Sequence, residues 1–235
     1  MLRNADLTEI SDGRLYGADD LVRTDTGGCK NCGLCCHGMK DTIVLDPYDL
    51  YQLQREKHMD FSRLMDGCIE LGLCDGLILP HLRMQGEDEA CVFLNAEGRC
   101  SIHTCRPGFC RLYPLGRYYH DRDFSYIFQT DECVKKNLSK IRVRKWLGIP
   151  DLPKYEAYIR RWHYFLRDMA GRIDEEQVQE MQQNPEAPES RQRRTQICLQ
   201  ILRIFFETPY DETRDFYPQF EERFAAMDYS AQITG

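Results

Sequence analysis

Gly27-Gly28-Cys29-Lys30-Asn31-Cys32-Gly33-Leu34-Cys35-Cys36-His37-Gly38 dominates the chemistry of this chain. It places four thiols within eight residues, and Cys29, Cys32 and Cys35 follow one another at Cys-x2-Cys spacing. Two intervening residues let the backbone turn as a small knuckle, so that successive sulfurs converge on one centre. The surrounding glycines permit the positive-φ turns that aim several sulfurs inward. They also leave backbone amides able to donate to sulfur.

A second group follows at Cys91, Cys100, Cys105 and Cys110, with Cys133 beyond it. It contains no knuckle of its own and makes sense if it completes the coordination begun by the first run. The chain holds 12 cysteines and opens Met1-Leu2-Arg3-Asn4-Ala5-Asp6, without the apolar core of a secretory signal. The expectation is a cytoplasmic protein, where disulfides explain many cysteines poorly and metal ligation explains them well. Structural zinc wants four ligands, usually as two separated knuckles, of which only one is present. Three cysteines at x2 spacing are a frequent start of a 4Fe–4S site with a fourth ligand elsewhere. Iron–sulfur is therefore expected ahead of zinc, although the run does not end in the Cys-Pro of bacterial ferredoxins.

The 235 residues suit one ordinary domain or a core with an appended lobe, and 42% hydrophobic against 29% charged residues suit a folded chain. A net charge of −7 argues against a general nucleic-acid binder. No window approaches the ~18 apolar residues of a membrane-spanning helix, so no membrane partner is expected.

Outward from the cysteines, residues 1–28 read as a loosely structured lead-in, 29–134 as the metal-binding domain and 135–235 as a helical region. Ile43–Leu45 suggests a short strand. Asp46-Pro47 starts a helix, with Asp46 as N-cap and Pro47 at the first helical position. Phe61–Met65 is a further helical turn. Leu77–Leu79 and Leu82–Met84 read as a strand or strand pair broken at Pro80, and Cys91–Leu94 as another strand, with its turn at Asn95–Gly98. Phe124, Tyr126 and Phe128 alternate with polar residues as a strand does. Helices are expected over Lys135–Leu147, Tyr155–Ile173, Thr195–Phe206 and Tyr217–Met227, with a linker at Asn184–Glu189. The fold class is α+β: a small cysteine-rich core of short strands and helices, followed by a helical C-terminal lobe.

These residues resemble the CxxCxxCC cysteine-cluster family, described as zinc- or iron-chelating. Cys29-x2-Cys32-x2-Cys35-Cys36 is similar to its first signature. Cys100-Ser101-Ile102-His103-Thr104-Cys105-Arg106-Pro107-Gly108-Phe109-Cys110-Arg111-Leu112-Tyr113-Pro114 is similar to its second. The resemblance spans about residues 29–133 and implies Cys29, Cys32, Cys35, Cys36, Cys91, Cys100, Cys110 and Cys133 as metal ligands, enough for two four-ligand sites. Cys105 stands where the family usually has another residue. The family includes flagellin lysine N-methylase-like proteins, which move a methyl group from S-adenosylmethionine to lysines of flagellin. The resemblance thus implies S-adenosylmethionine as a second cofactor and a protein substrate such as flagellin. No Gly-x-Gly-x-x-Gly loop or P-loop offers a nucleotide site, so any such site must be built otherwise.

Other residues have plainer expectations. Cys68, Cys74 and Cys198 read as small buried hydrophobes, and His37 and His103 as packing or hydrogen-bonding groups near the ligands. Arg106 and Arg111 bracket Cys110 and are expected at the cofactor, offsetting thiolate charge; Arg106 could equally bind a substrate carboxylate. Tyr113–Pro114 is expected trans on base rate. The basic run from Lys135 to Lys145 reads as a solvated helix face, and Tyr155, Tyr158, Trp162 and Phe165 as a buried one. No local acid–base pair stands out. Two functions remain open: a metalloprotein supporting redox or S-adenosylmethionine-dependent lysine methylation, and a non-enzymatic, zinc-stabilised interaction module.

Overall fold

A computed structural model describes residues 6–25, 32–130, 132, 133, 135, 138–183 and 189–233. The chain divides into two compact units, one taking it up to Ile43 and again from Met84 to Trp162, the other comprising Val44–Arg83 and the part from His163 on. Among the described residues, helices and short antiparallel strands in four two-stranded sheets make the α+β class plain.

In the first unit the stretch expected as a loose lead-in contains helix α1 (Leu7–Ile10) and strand β1 (Leu21–Asp25). β1 pairs antiparallel with β8 (Ser139–Arg142), Leu21 opposite Arg142. The helix expected over Lys135–Leu147 is thus shortened to α5 (Val143–Leu147). Its basic residues Arg142 and Arg144 are exposed, and both pair with Asp19, at 3.6 and 2.7 Å. A Lys/Arg-rich stretch with interleaved apolar residues satisfies an edge strand as well as a helix face, and pairing with a distant strand decided between them.

β6 (Leu115–His120) and β7 (Asp123–Phe128) form a hairpin whose two turn residues, Asp121 and Arg122, both have positive φ, the two-residue geometry that matches strand twist. The alternation of Phe124, Tyr126 and Phe128 is therefore a strand, as expected. Tyr16 bridges to Tyr126 on its open side, and the buried Tyr126 hydroxyl donates to Glu156 at 2.8 Å. Glu156 lies on α6 (Leu152–Gln183), a helix that admits Pro153 in its first turn, where the missing N–H costs nothing. Tyr155, Tyr158 and Trp162 form its buried face in this unit. α4 (Gly108–Leu112) passes into β6 through Tyr113–Pro114, which is cis rather than trans; a tight turn is the usual setting for a cis proline.

The second unit begins with an isolated bridge, Val44 to His81, in place of the strand expected at Ile43–Leu45. α2 (Pro47–Lys57) starts where the sequence indicated. The Asp46 carboxylate accepts from the Asp49 amide at 2.9 Å and the Asp49 carboxylate accepts from the Asp46 amide, a reciprocal cap. α3 (Phe61–Met65) follows. β2 (Ile69–Cys74) and β3 (Leu77–Leu82) form a hairpin on Asp75-Gly76, both at positive φ. β3 runs through Pro80 without a break. The Pro80 carbonyl accepts from the Leu45 amide at 2.8 Å, so its backbone polar edge faces away from β2, where a missing N–H breaks no ladder.

α7 (Glu189–Leu202) continues into a π-helical turn, Arg203–Glu207, which carries the fully buried Phe205 and Phe206. Phe205 packs edge-on against Phe224 of α8 (Phe216–Ile233) at 5.3 Å between ring centroids. Phe165 meets both rings. Arg223 closes the π turn by donating to the Ile204, Thr208 and Pro209 carbonyls. The expected linker at Asn184–Glu189 lies outside the described residues except for Glu189, which is helical. Among the described residues no helix is long and apolar enough to cross a membrane.

Candidate metal centre

Two short segments of the first unit build the thiol-rich site. Gly33, in the left-handed region at φ 64°, turns the chain into a 3-10 turn at Leu34–Cys36 that carries Cys35 and Cys36. The chain then meets the β4 (Met84–Gln85) and β5 (Ala90–Cys91) hairpin: His37 bridges to Ala90, and the Gly38 amide donates to the Glu89 carbonyl at 3.1 Å. This antiparallel contact sets Cys36, one residue before His37, beside Cys91, one residue after Ala90. The strand expected over Cys91–Leu94 stops at Cys91 because the chain turns there, the Leu94 amide donating back to the Cys91 carbonyl.

Asn95–Gly98 is the expected turn, and it returns the chain so that Cys100 bridges to Leu94. The two segments touch at one tight point. A Cβ added at Gly33 would stand 3.0 Å from the Gly98 carbonyl oxygen and 3.5 Å from Leu94 Cδ1. Glycine at 33 is therefore required twice, by its φ and by the approach of the turn.

The Cys36 thiol donates to the Cys35 sulfur, which holds Cys35 well below an ordinary thiol, at about 6. The Cys35 backbone amide and the Arg106 guanidinium act the same way, against the effect of burial. Cys36 is pushed up, first by that hydrogen bond, then by burial and by the charges of Cys35, Cys100 and Cys91. Tyr113, whose hydroxyl donates to the Glu132 carbonyl, is also raised. Burial is the largest cause, followed by the charges of Glu132, Cys35, Cys133 and Cys32.

Cys91 is buried, while Cys32, Cys35, Cys36, Cys100, Cys110 and Cys133 are half-buried; no disulfide joins any of the eleven described cysteines. Cys29 lies outside the described residues. Cys110 sits on α4, and the buried Cys105 donates its amide to the Ile102 carbonyl. Cys68, Cys74 and Cys198 belong to the other unit. There Cys198 is buried and accepts from the Ile78 amide at 3.4 Å, whereas Cys68 and Cys74 are only half-buried.

Residues 28–135 match the family model CxxCxxCC, "Putative zinc- or iron-chelating domain". These residues, a little under half of the chain, are similar to that domain. No curated protein and no solved structure matches the chain.

The chemistry of the donor set fits that description. The CxxCxxCC domain brings together soft sulfur donors, which select zinc or iron–sulfur clusters over oxygen-loving cations. Among its described residues no three Cys, His, Asp or Glu side chains are grouped closely enough to hold one metal ion. Arg106 contacts His103 and lends its charge to Cys35. Arg111 is turned to the Thr104 carbonyl. His103 is held below its ordinary value, first by burial and then by the charges of Arg106 and Arg111, which disfavours its cationic form. His37 serves the bridge to Ala90. Tyr113 was legible only as part of a motif; its place beside three cysteines depends on Glu132 folding back 19 residues later.

Proposed function

We propose that the CxxCxxCC domain holds iron–sulfur centres, of the 4Fe–4S type, through Cys29, Cys32, Cys35, Cys36, Cys91, Cys100, Cys110 and Cys133, and that these serve redox or S-adenosylmethionine-dependent chemistry on a protein lysine. The observation that carries this is the approach of Cys36 to Cys91 and Cys100. It joins the two cysteine groups, neither of which supplies two zinc knuckles alone. Arg106, beside Cys35, supports the charge balance that an all-thiolate site needs. Bound, such a centre would supply one-electron transfer or an anchoring iron for a cofactor. The chain's own part is to exclude bulk water from half-buried sulfurs and to offset their charge. Resemblance to a family that includes flagellin lysine N-methylase-like proteins supports a protein substrate such as flagellin.

Anaerobic purification followed by iron and acid-labile sulfide analysis tests the reading. Brown protein with equimolar iron and sulfide is expected, and it should bind S-adenosylmethionine in a manner lost in Cys32→Ser. Colourless protein with stoichiometric zinc would overturn it in favour of a zinc-stabilised interaction module.

A further inference from the structure

The two-stranded sheet of β1 and β8 has unlike faces. Val22, opposite Ile141, is buried. Residues directly opposite share a face and neighbours along a strand alternate, so Leu21, Arg23, Lys140 and Arg142 make up the other face. All four are exposed, Leu21 to 55%. The Val143 amide donates to the Asp20 carbonyl at 3.0 Å, which makes Asp20–Val143 a hydrogen-bonded pair. By alternation, Leu21–Arg142 and Arg23–Lys140 are pairs of the other type, whose side chains approach more closely. Arg23 and Lys140 thus set like charges against each other at the closest cross-strand position, an arrangement that costs stability. Arg142 is relieved by Asp19 at 3.6 Å. Among the described residues no carboxylate pairs with Arg23 or Lys140.

We infer that this face docks an extended acidic segment of a partner protein, with a carboxylate seated between Arg23 and Lys140 and an apolar side chain on Leu21. Charge complementarity selects the occupant: an anion between the two cations removes their repulsion. Spacing selects its form. Leu21 stands two residues from Arg23 along β1, about 7 Å away, the separation of residues i and i+2 in an extended chain. Nucleic acid fits worse. The face carries no aromatic side chain on which a base could stack. Asp19 interrupts the positive field beside it, and the chain as a whole has a net charge of −7. The docking face is separate from the metal reading, since neither strand carries a cysteine.

Fluorescence anisotropy of the full chain tests this with two labelled probes, a peptide repeating Glu-Ser-Leu-Ser and a single-stranded RNA oligonucleotide. Saturable binding of the peptide is expected. The double variant Arg23→Gln/Lys140→Gln should weaken it about tenfold, and Leu21→Ser about fivefold. A repeat with lysine in place of glutamate should not bind. Failure of the acidic peptide to bind, equal binding by the double variant, or tighter binding of the RNA that the double variant loses overturns the inference. Urea unfolding gives a readout that needs no partner. Lys140→Gln should raise the midpoint by relieving the repulsion, an advantage that high salt screens away. A lowered midpoint would show that the opposed cations serve the sheet itself, and would overturn their assignment to docking.

Discussion

Replacing Gly33 by alanine tests how the two cysteine segments are held together. Two costs can be separated. The first is conformational: a residue with Cβ in the left-handed region loses about 1–2 kcal/mol. The second is the contact at 3.0 Å with the Gly98 carbonyl. That is a backbone atom whose position is set by the Asn95 turn, so it cannot swing aside as a side-chain tip would. Overpacking of this kind adds about 1–3 kcal/mol. Gly98→Ala is the matched control, because Gly98 has φ 69° and nothing within 4 Å of an added Cβ; only the first cost applies to it. Gly33→Ala should therefore be destabilised by about 2–5 kcal/mol and Gly98→Ala by about 1–2 kcal/mol. Urea unfolding of the reduced, chelator-treated proteins measures both. Gly33→Ala should also load less metal than Gly98→Ala. Equal unfolding midpoints for the two variants would refute the packing of the cysteine run on the Asn95–Gly98 turn.

Further outcomes follow from single contacts. Asp46→Ala removes the reciprocal cap of α2 and should cost about 1 kcal/mol, read by urea unfolding with Asp49→Asn as a partner variant. Tyr126→Phe deletes a buried hydroxyl donating to Glu156 and should cost about 1–2 kcal/mol; no change in midpoint would show that the bond is not formed in solution. Phe205→Ala opens a hole among Phe165, Phe220 and Phe224 and should cost about 3–5 kcal/mol. Arg160→Gln breaks the 2.9 Å pair with Asp123, a half-exposed contact expected to contribute about 0.5 kcal/mol. Arg160 holds the Asp123 carboxyl below its ordinary value. The pair's contribution is therefore present above the unfolded carboxylate's pKa near 3.9 and is lost as pH falls through the lower folded value. The stability gap between wild type and Arg160→Gln should close in that acid window; a gap that persists at lower pH would assign the effect to packing.

Local chemistry made much of this fold readable in the sequence. Asp46-Pro47 marked the start of α2, Phe124 to Phe128 marked β7, and the cysteine spacing marked the resemblance to a zinc- or iron-chelating domain. Asp75-Gly76, flanked by apolar residues, also carries a hairpin signal, against which stands Pro80, a residue without the N–H of a ladder. That objection applies to a central strand, and here Pro80 turns its polar edge away from its partner. The pairing of β1 with β8 was hidden for a different reason. It joins segments more than a hundred residues apart, and nothing local in Leu21–Asp25 or Ser139–Arg142 specifies a partner. The cysteine motifs identified donors, whereas the nearness of Cys36 to Cys91 depended on a single bridge between His37 and Ala90 that no spacing rule encodes.

The division of the chain into interleaved units bears on what is inherited and what folds. The recognisable block, 28–135, contains Val44–Arg83, which belong with the later helices. A fragment cut at those boundaries would keep Tyr126 without Glu156, and Ile78 without Cys198. It would also lose the whole β1–β8 pair. The block is a unit of sequence similarity, not a compact unit of the fold. Grafting it into another chain would transplant the thiols without Glu156 and without the β1–β8 pair of the unit to which they belong.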